Sequence, residues 1–336
     1  MIVVIGASSF IGLYTVNALI ENGYEVCATG RNKRFKEIYE QKNVKYIKLD
    51  LEDKEAYNKL PTENVEAVIL LAAYLPANAG EDLVDCENAD KYIMINTIGT
   101  INVLEYCRKN NIKRMIAASS YADMSGYFGT NTIITEDLPR KFSLQDDHAA
   151  YVISKNAAND MMEYYNQQHG MKNAIFRFPP VYGVGPHGYL KVNGKVVKSG
   201  LQVFIDKAKS GEDIEIYGNK DVARDVVYVK DVANAFVKAL QSDKTYGLYN
   251  IAAGVSVSLE KQVQSVIKVF GKGDIDIIYS PEKKNNSKTY YISIDKAKKD
   301  FGYEPLYADF EKMMIDWKNE EETKKNIWSR NDSNQS

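Results

Sequence analysis

Met1-Ile2-Val3-Val4-Ile5-Gly6-Ala7-Ser8-Ser9-Phe10-Ile11-Gly12 is the stretch from which the fold is read. Ile2 to Ile5 is apolar at every position, as expected of a strand covered on both faces. Gly6 then opens a turn, and Val16, Leu19 and Ile20 follow along one side of a helix. Gly6 suits a tight turn, and Gly12 lets helix and sheet approach each other. The N–H groups at the helix start would receive a pyrophosphate, so Gly6, Ser8, Ser9, Phe10, Ile11 and Gly12 are candidate cofactor contacts. Ser9 stands where the usual G-x-x-G-x-x-G has its central glycine; a serine donates to phosphate but leaves it less room. A glycine-bounded turn can also be plain structure, and its setting must decide.

That setting is a regular alternation. Val26 to Thr29, Val44 to Leu49, Val68 to Ala72, Met115 to Ser119 and Asn173 to Phe178 read as further strands. Ile98, Ile101 and Leu104, then Ala158, Met161, Met162 and Tyr165, recur at helical spacing between them. Buried strands joined by covering helices predict an α/β, doubly wound, mostly parallel (Rossmann-like) sheet over residues 1–178. After Phe178 the run Pro179-Pro180-Val181-Tyr182-Gly183 leaves the sheet. Residues 179–320 read as a smaller C-terminal α/β substrate-binding domain, with a segment at about 224–250 returning to the sheet. Residues 321–336 read as a polar tail.

Composition narrows the function. With 45% hydrophobic and 26% charged residues the chain can build a core. Forty-three basic residues against 45 acidic give a net charge of -2, which provides no overall attraction for nucleic acid. Cys27, Cys86 and Cys107 form no paired pattern, and His148, His169 and His187 lack metal-like spacing, so neither disulfides nor a metal site are expected. No apolar run is long enough to span a membrane and no leader precedes the first strand, so the expectation is a cytoplasmic protein.

Two further clusters carry chemistry. Gly30-Arg31-Asn32-Lys33-Arg34 follows the second strand, where an acidic residue would select NAD by binding the ribose diol. Arg31 instead suits the 2′-phosphate of NADP, which modestly favours NADP(H) over NAD(H); the competing reading is a solvated basic loop. Asp50, with Leu51 beside it, is placed to meet the adenine edge. Tyr151 and Lys155 lie one helical turn apart and share a face. With 24 tyrosines such a spacing arises by chance, but Ser119-Ser120 at the end of a parallel strand adds the missing element. Tyr151 would move a hydroxyl proton, Ser120 would hold the substrate oxygen, and Lys155 with an oxidised nicotinamide would favour the tyrosinate. The competing reading puts Tyr151 and Lys155 on an ordinary helix surface.

Taken together, these motifs resemble the extended short-chain dehydrogenase/reductase family, of the NAD-dependent epimerase/dehydratase type acting on nucleotide sugars. The resemblance runs to about Trp317 and also rests on Leu71-Ala72-Ala73, Asn96-Thr97-Ile98-Gly99-Thr100, Arg177 with Val181-Tyr182-Gly183, and Arg224-Asp225-Val226-Val227-Tyr228. It implies a nicotinamide cofactor contacted by Leu71, Ala72, Ala73, Asn96, Tyr151 and Lys155, and a nucleotide-sugar substrate whose diphosphate or ribose meets Arg224. From the residues alone, a loop carries Arg224 into a strand Val226 to Val229, with pairing to Asp225 or Asp231 as the alternative role. Tyr74 is a candidate wall of the sugar pocket, and His187 a candidate substrate contact or an exposed turn. The family also implies a homodimer.

Departures bear on the reaction. Tyr121-Ala122 stands where 4,6-dehydratases of the family carry an Asp-Glu pair, and Asp123-Met124-Ser125 replaces the usual Val-Tyr-Gly. Pro180 occupies the place of an asparagine that commonly binds the substrate, and has neither its amide nor a backbone N–H. The expected activity is a nucleotide-sugar epimerase, a 4-epimerase in particular; the alternative is an NADPH-dependent nucleotide-4-ketosugar reductase.

Overall fold

The structure is a computed structural model, and it describes residues 1–76, 89–145, 148–192, 195–285 and 287–323. Its centre is a sheet of seven parallel strands. In chain order these are β1 (Ile2–Ile5), β2 (Val26–Gly30), β3 (Lys45–Lys48), β4 (Ala67–Leu70), β5 (Met115–Ser120), and the strands Ala174–Phe178 and Gly247–Asn250. Across the sheet the order is β3-β2-β1-β4-β5, then Ala174–Phe178, then Gly247–Asn250 at the far edge. Winding reverses between β1 and β4, which opens a crevice at their C-terminal ends.

Alternation along β1 explains why the whole strand is apolar. Ile2 and Val4 pack in one core with Leu13, Val16 and Leu19 of helix α1 (Phe10–Glu21) and with Val232 and Phe236 of helix Val229–Leu240. Val3 and Ile5 face the other way, against Val103 and Leu104 of helix Gly99–Lys109 and Met162 and Tyr165 of helix Ala149–His169. Each such side chain contributes about 1.5–3 kcal/mol by leaving water, so a charge at any of these positions would break the layer. A third core joins Leu201, Ile205, Val263, Val266, Met313 and Trp317 in the C-terminal part.

Several elements differ from the sequence expectations. Helix α2 (Arg34–Glu40) begins inside the stretch read as a basic loop; it is anchored by buried Phe35 and Tyr39, and the Tyr39 hydroxyl donates to Ala7 O at 2.6 Å. Arg224 itself lies on a strand, Ala223–Asp225, antiparallel to Ser256–Ser258. The strand expected over Val226 to Val229 is only Val227–Tyr228, because Val229 already begins the helix whose apolar face includes Val232, Ala233 and Phe236. A hairpin of Tyr189–Val192 and Lys195–Lys198 and a helix Asp295–Phe301 were not foreseen. The last helix, Phe310–Thr323, runs three residues into the expected tail. Cys27 and Cys107 are buried free thiols, while Cys86 lies outside the described residues. No helix among the described residues is long and apolar enough to cross a membrane.

Candidate active site

The turn after β1 needs its glycines. Gly6 has φ +93°, and a Cβ there would overlap the backbone of Ala72 at the end of β4. A Cβ on Gly12 would overlap Gly6 O. Ser9 caps α1 by accepting from Gly12 N–H at 3.1 Å, which leaves its own hydroxyl proton free to donate. Ser8 faces the Tyr46 hydroxyl beside Gly30. Both glycines thus let β1, β4 and the start of α1 pack backbone to backbone, which sets the positive end of the α1 dipole at the C-terminal edge of the sheet.

From this turn a cavity of about 920 Å³ extends to the C-terminal part of the chain. Phe10, Ile11, Leu71 and Ala73 line it together with Ser120, Tyr151 and Lys155, and Arg224 lines it from the C-terminal part. The cavity thus brings the three proposed catalytic side chains to the crevice together with four of the expected cofactor contacts and one substrate contact.

Burial dominates the electrostatics of the site. Tyr151 and Lys155 are each 8% exposed. Loss of water pushes the Tyr151 phenol up to about 12; its Ser120 neighbour opposes the rise, and the Asp123 charge adds to it. The same loss brings the Lys155 ammonium down to about 8. Lys155 Nζ donates to Ala118 O at 2.6 Å. The expected lowering of Tyr151 by Lys155 is not what the chain alone produces: burial raises the phenol, and the group that opposes the rise is Ser120. Ser120, the last residue of β5, accepts from Ala122 N–H at 3.2 Å and caps the following 3-10 turn. Asp123 on that turn lies 3.5 Å from Arg177, an ion pair sealed under the site.

Other expected residues occupy different places. Asn96, 2% exposed in a π-helical turn Tyr92–Ile98, accepts from Tyr74 N–H at 2.7 Å and donates to Tyr74 O and Ser154 Oγ. It clamps the segment after β4 to the helix carrying Tyr151. The Tyr74 ring does not line the cavity; it meets Tyr92 at 4.8 Å, which in turn packs on Tyr151, and Leu75 lines the wall instead. Leu51 is core, pressed against Gly99. Arg31, 71% exposed, stands 3.9 Å from Asp50 at the ends of β2 and β3, outside the cavity. His187 belongs to the short turn Pro186–Gly188.

Arg224 is the electrostatic anomaly. Neither suggested partner takes it: Asp225 accepts from Ala253 and Gly254 N–H, and Asp231 from Leu306 and Tyr307 N–H. Burial works to lower the Arg224 guanidinium, and Tyr182, Tyr290 and Tyr121 near it outweigh that and raise it above its ordinary value. Sequence reasoning passed over Tyr121, Tyr182 and Gln262 as cavity residues. Gln262 had a signal: it is a polar residue, 2% exposed, on the buried face shared by Val263 and Val266. Among the described residues no group of His, Cys, Asp or Glu could hold a metal ion.

Residues 2–252 match the model of the NAD dependent epimerase/dehydratase family. The chain belongs to that family. It is an enzyme of the NAD(P)-dependent epimerase and oxidoreductase type, built on an NAD(P)-binding Rossmann fold. A putative UDP-glucose 4-epimerase of Methanocaldococcus jannaschii is 29% identical over 318 residues, covering 91% of this chain and 93% of its own. A dTDP-4-dehydro-6-deoxy-D-allose reductase of a Streptomyces species is 26% identical, covering 92% and 94%. The UDP-glucose 4-epimerase of Thermotoga maritima, solved with UDP-glucose, superposes with a TM-score of 0.74 over 95% of this chain and 98% of its own, at 24% identity. That last likeness is one of fold.

Proposed function

We propose that the enzyme is a nucleotide-sugar 4-epimerase. The observation that carries this reading is the cavity itself: Ser120, Tyr151 and Lys155 line it together with Arg224, a guanidinium without a carboxylate partner among the described residues. A sugar held between them would have its hydroxyl at Tyr151 and its diphosphate at Arg224. Relatives named as a putative UDP-glucose 4-epimerase and, in Bacillus subtilis, a UDP-glucose 4-epimerase support the same assignment.

The glycine turn at Gly6 and Gly12 fits a dinucleotide, and Ser9, Phe10, Ile11, Leu71 and Ala73 would hold it near Lys155. A nicotinamide group bound there supplies reversible uptake of hydride from carbon. The chain supplies the rest. Tyr151 takes the sugar hydroxyl proton and later returns it, and Ser120 hydrogen-bonds the same oxygen. With its phenol raised to about 12 by burial, Tyr151 needs a nearby positive charge before it acts as a base. Lys155, one turn along on the same helix face, is the charge this reading assigns to that role, acting together with the oxidised nicotinamide. No second acid/base pair is required, consistent with Tyr121 and Ala122.

Reduction of a 4-ketosugar uses the same three residues once. Arg31 is the observation that favours it, since its exposed guanidinium beside Asp50 suits the 2′-phosphate of NADP(H). The test of the shared mechanism is Tyr151→Phe. Cofactor titration by fluorescence should match the wild type, while conversion of a sugar-nucleotide substrate falls by about 10²- to 10⁴-fold. Unchanged turnover with intact binding would remove Tyr151 from the reaction.

A further inference from the structure

Part of the cavity wall poses a question of donors. Pro179 and Pro180 line it and contribute no N–H, and the Pro180 carbonyl is already taken by Val227 N–H at 3.1 Å. An anionic group seated there must find its hydrogen bonds among side chains. Arg224, Tyr182 and Tyr121 are the candidates that line this part of the cavity.

The two phenols are not equivalent. Tyr290 donates its hydroxyl proton to Asp225 O at 2.9 Å, which leaves its oxygen to accept, and Tyr121, whose ring packs on Tyr290 at 5.3 Å between centroids, is the neighbour beside that oxygen. Tyr182 interacts with the Arg224 guanidinium, which has donors only. The Tyr182 oxygen therefore acts as acceptor towards Arg224 and keeps its own proton for a ligand. A phenol polarised by a guanidinium is a stronger donor than a free one. Its ring makes an edge contact with Phe310, 6.4 Å between centroids, and its backbone pairs with Tyr228, which restricts where the hydroxyl can reach.

We infer that Tyr182 and Arg224 form one anion-binding unit, in which the Tyr182 hydroxyl is a second donor to the diphosphate of the substrate. This rests on the nucleotide-sugar reading and adds a binding residue to it. Arg224 supplies charge, and Tyr182 supplies a directed hydrogen bond on the wall that the prolines leave without donors.

The test is calorimetric binding to the wild-type protein saturated with nicotinamide dinucleotide. UDP, dTDP and GDP are titrated, and the tightest is compared with its free nucleoside. Tyr182→Phe, which keeps the ring and its packing, should weaken the diphosphate about tenfold and leave the nucleoside unchanged. Tyr121→Phe should bind the diphosphate like the wild type, and Arg224→Gln should lose most of the affinity. Diphosphate binding unchanged in Tyr182→Phe while Arg224→Gln fails to bind would overturn the inference alone. Equal losses in Tyr121→Phe and Tyr182→Phe would also overturn it, by tracing the effect to general damage of the wall. No binding of any nucleoside diphosphate by the wild type would overturn the nucleotide-sugar reading as well.

Discussion

Replacing Lys155 by methionine separates a functional lysine from a structural one. The side chain is buried and its ammonium is brought from an ordinary 10.5 down to about 8 by loss of water. At about 1.4 kcal/mol per tenfold change in proton affinity, keeping it charged in the folded protein costs about 3 kcal/mol. That cost is fully present below pH 8, where both folded and unfolded chains hold the proton. It fades as pH rises from 8 towards 10.5, where the folded chain has released the proton and the unfolded chain still binds it. Methionine keeps the volume and removes the charge, but it leaves Ala118 O without its donor, an offset of about 1–3 kcal/mol. Near pH 7 the two proteins should therefore lie within about 2 kcal/mol of each other, with the variant equal or more stable. By pH 9.5 the wild type should have gained about 2 kcal/mol relative to the variant. Urea unfolding at the two pH values measures this directly, and cofactor titration of the same samples should show weakened binding by Lys155→Met. A stability difference independent of pH, with a strongly destabilised variant at pH 7, would refute the claim that Lys155 is held charged against its environment for function.

Gly6→Ala should lower the melting temperature and weaken cofactor binding, since φ +93° and the backbone of Ala72 leave no room for a methyl group; strain of this kind costs about 1–3 kcal/mol before any displacement. Wild-type values for both would mean that the turn is looser than described. Arg31→Asp should weaken NADP by an order of magnitude or more at low salt while harming NAD much less, because it removes attraction for the 2′-phosphate and adds repulsion beside Asp50. Equal losses for both cofactors, or none for either, would end the preference for NADP.

The parallel sheet was legible because a strand buried on both faces must be apolar at every position, as Ile2 to Ile5 and Ala67 to Leu70 are. Long helices were legible from their stripes, as with Ala158, Met162 and Tyr165. Helix Arg34–Glu40 was not, because two anchors, Phe35 and Tyr39, are too few to define a period. The hairpin carried a usable signal in Asn193-Gly194 between two runs rich in valine and lysine.

The site was legible where chemistry is tied to short spacing, as in Tyr151 with Lys155. It was opaque where a side chain's role depends on what folds against it. Asn96 reads as a ligand contact in the sequence, and what no spacing shows is that its amide also ties Tyr74 to Ser154. Arg224 could have paired with either neighbouring aspartate, and only the backbone N–H groups that claim both carboxylates leave it facing tyrosines. No periodicity encodes that outcome.

The most direct measurement is an anaerobic incubation of the cofactor-loaded enzyme with a panel of sugar nucleotides, following isomer products by chromatography and cofactor absorbance in the same sample. An epimerase converts one 4-epimer into the other with no net change in absorbance, because each hydride removed from the sugar is returned to it. Stoichiometric consumption of NADPH with a 4-ketosugar, and no interconversion of epimers, would contradict the epimerase assignment and leave a reductase in its place.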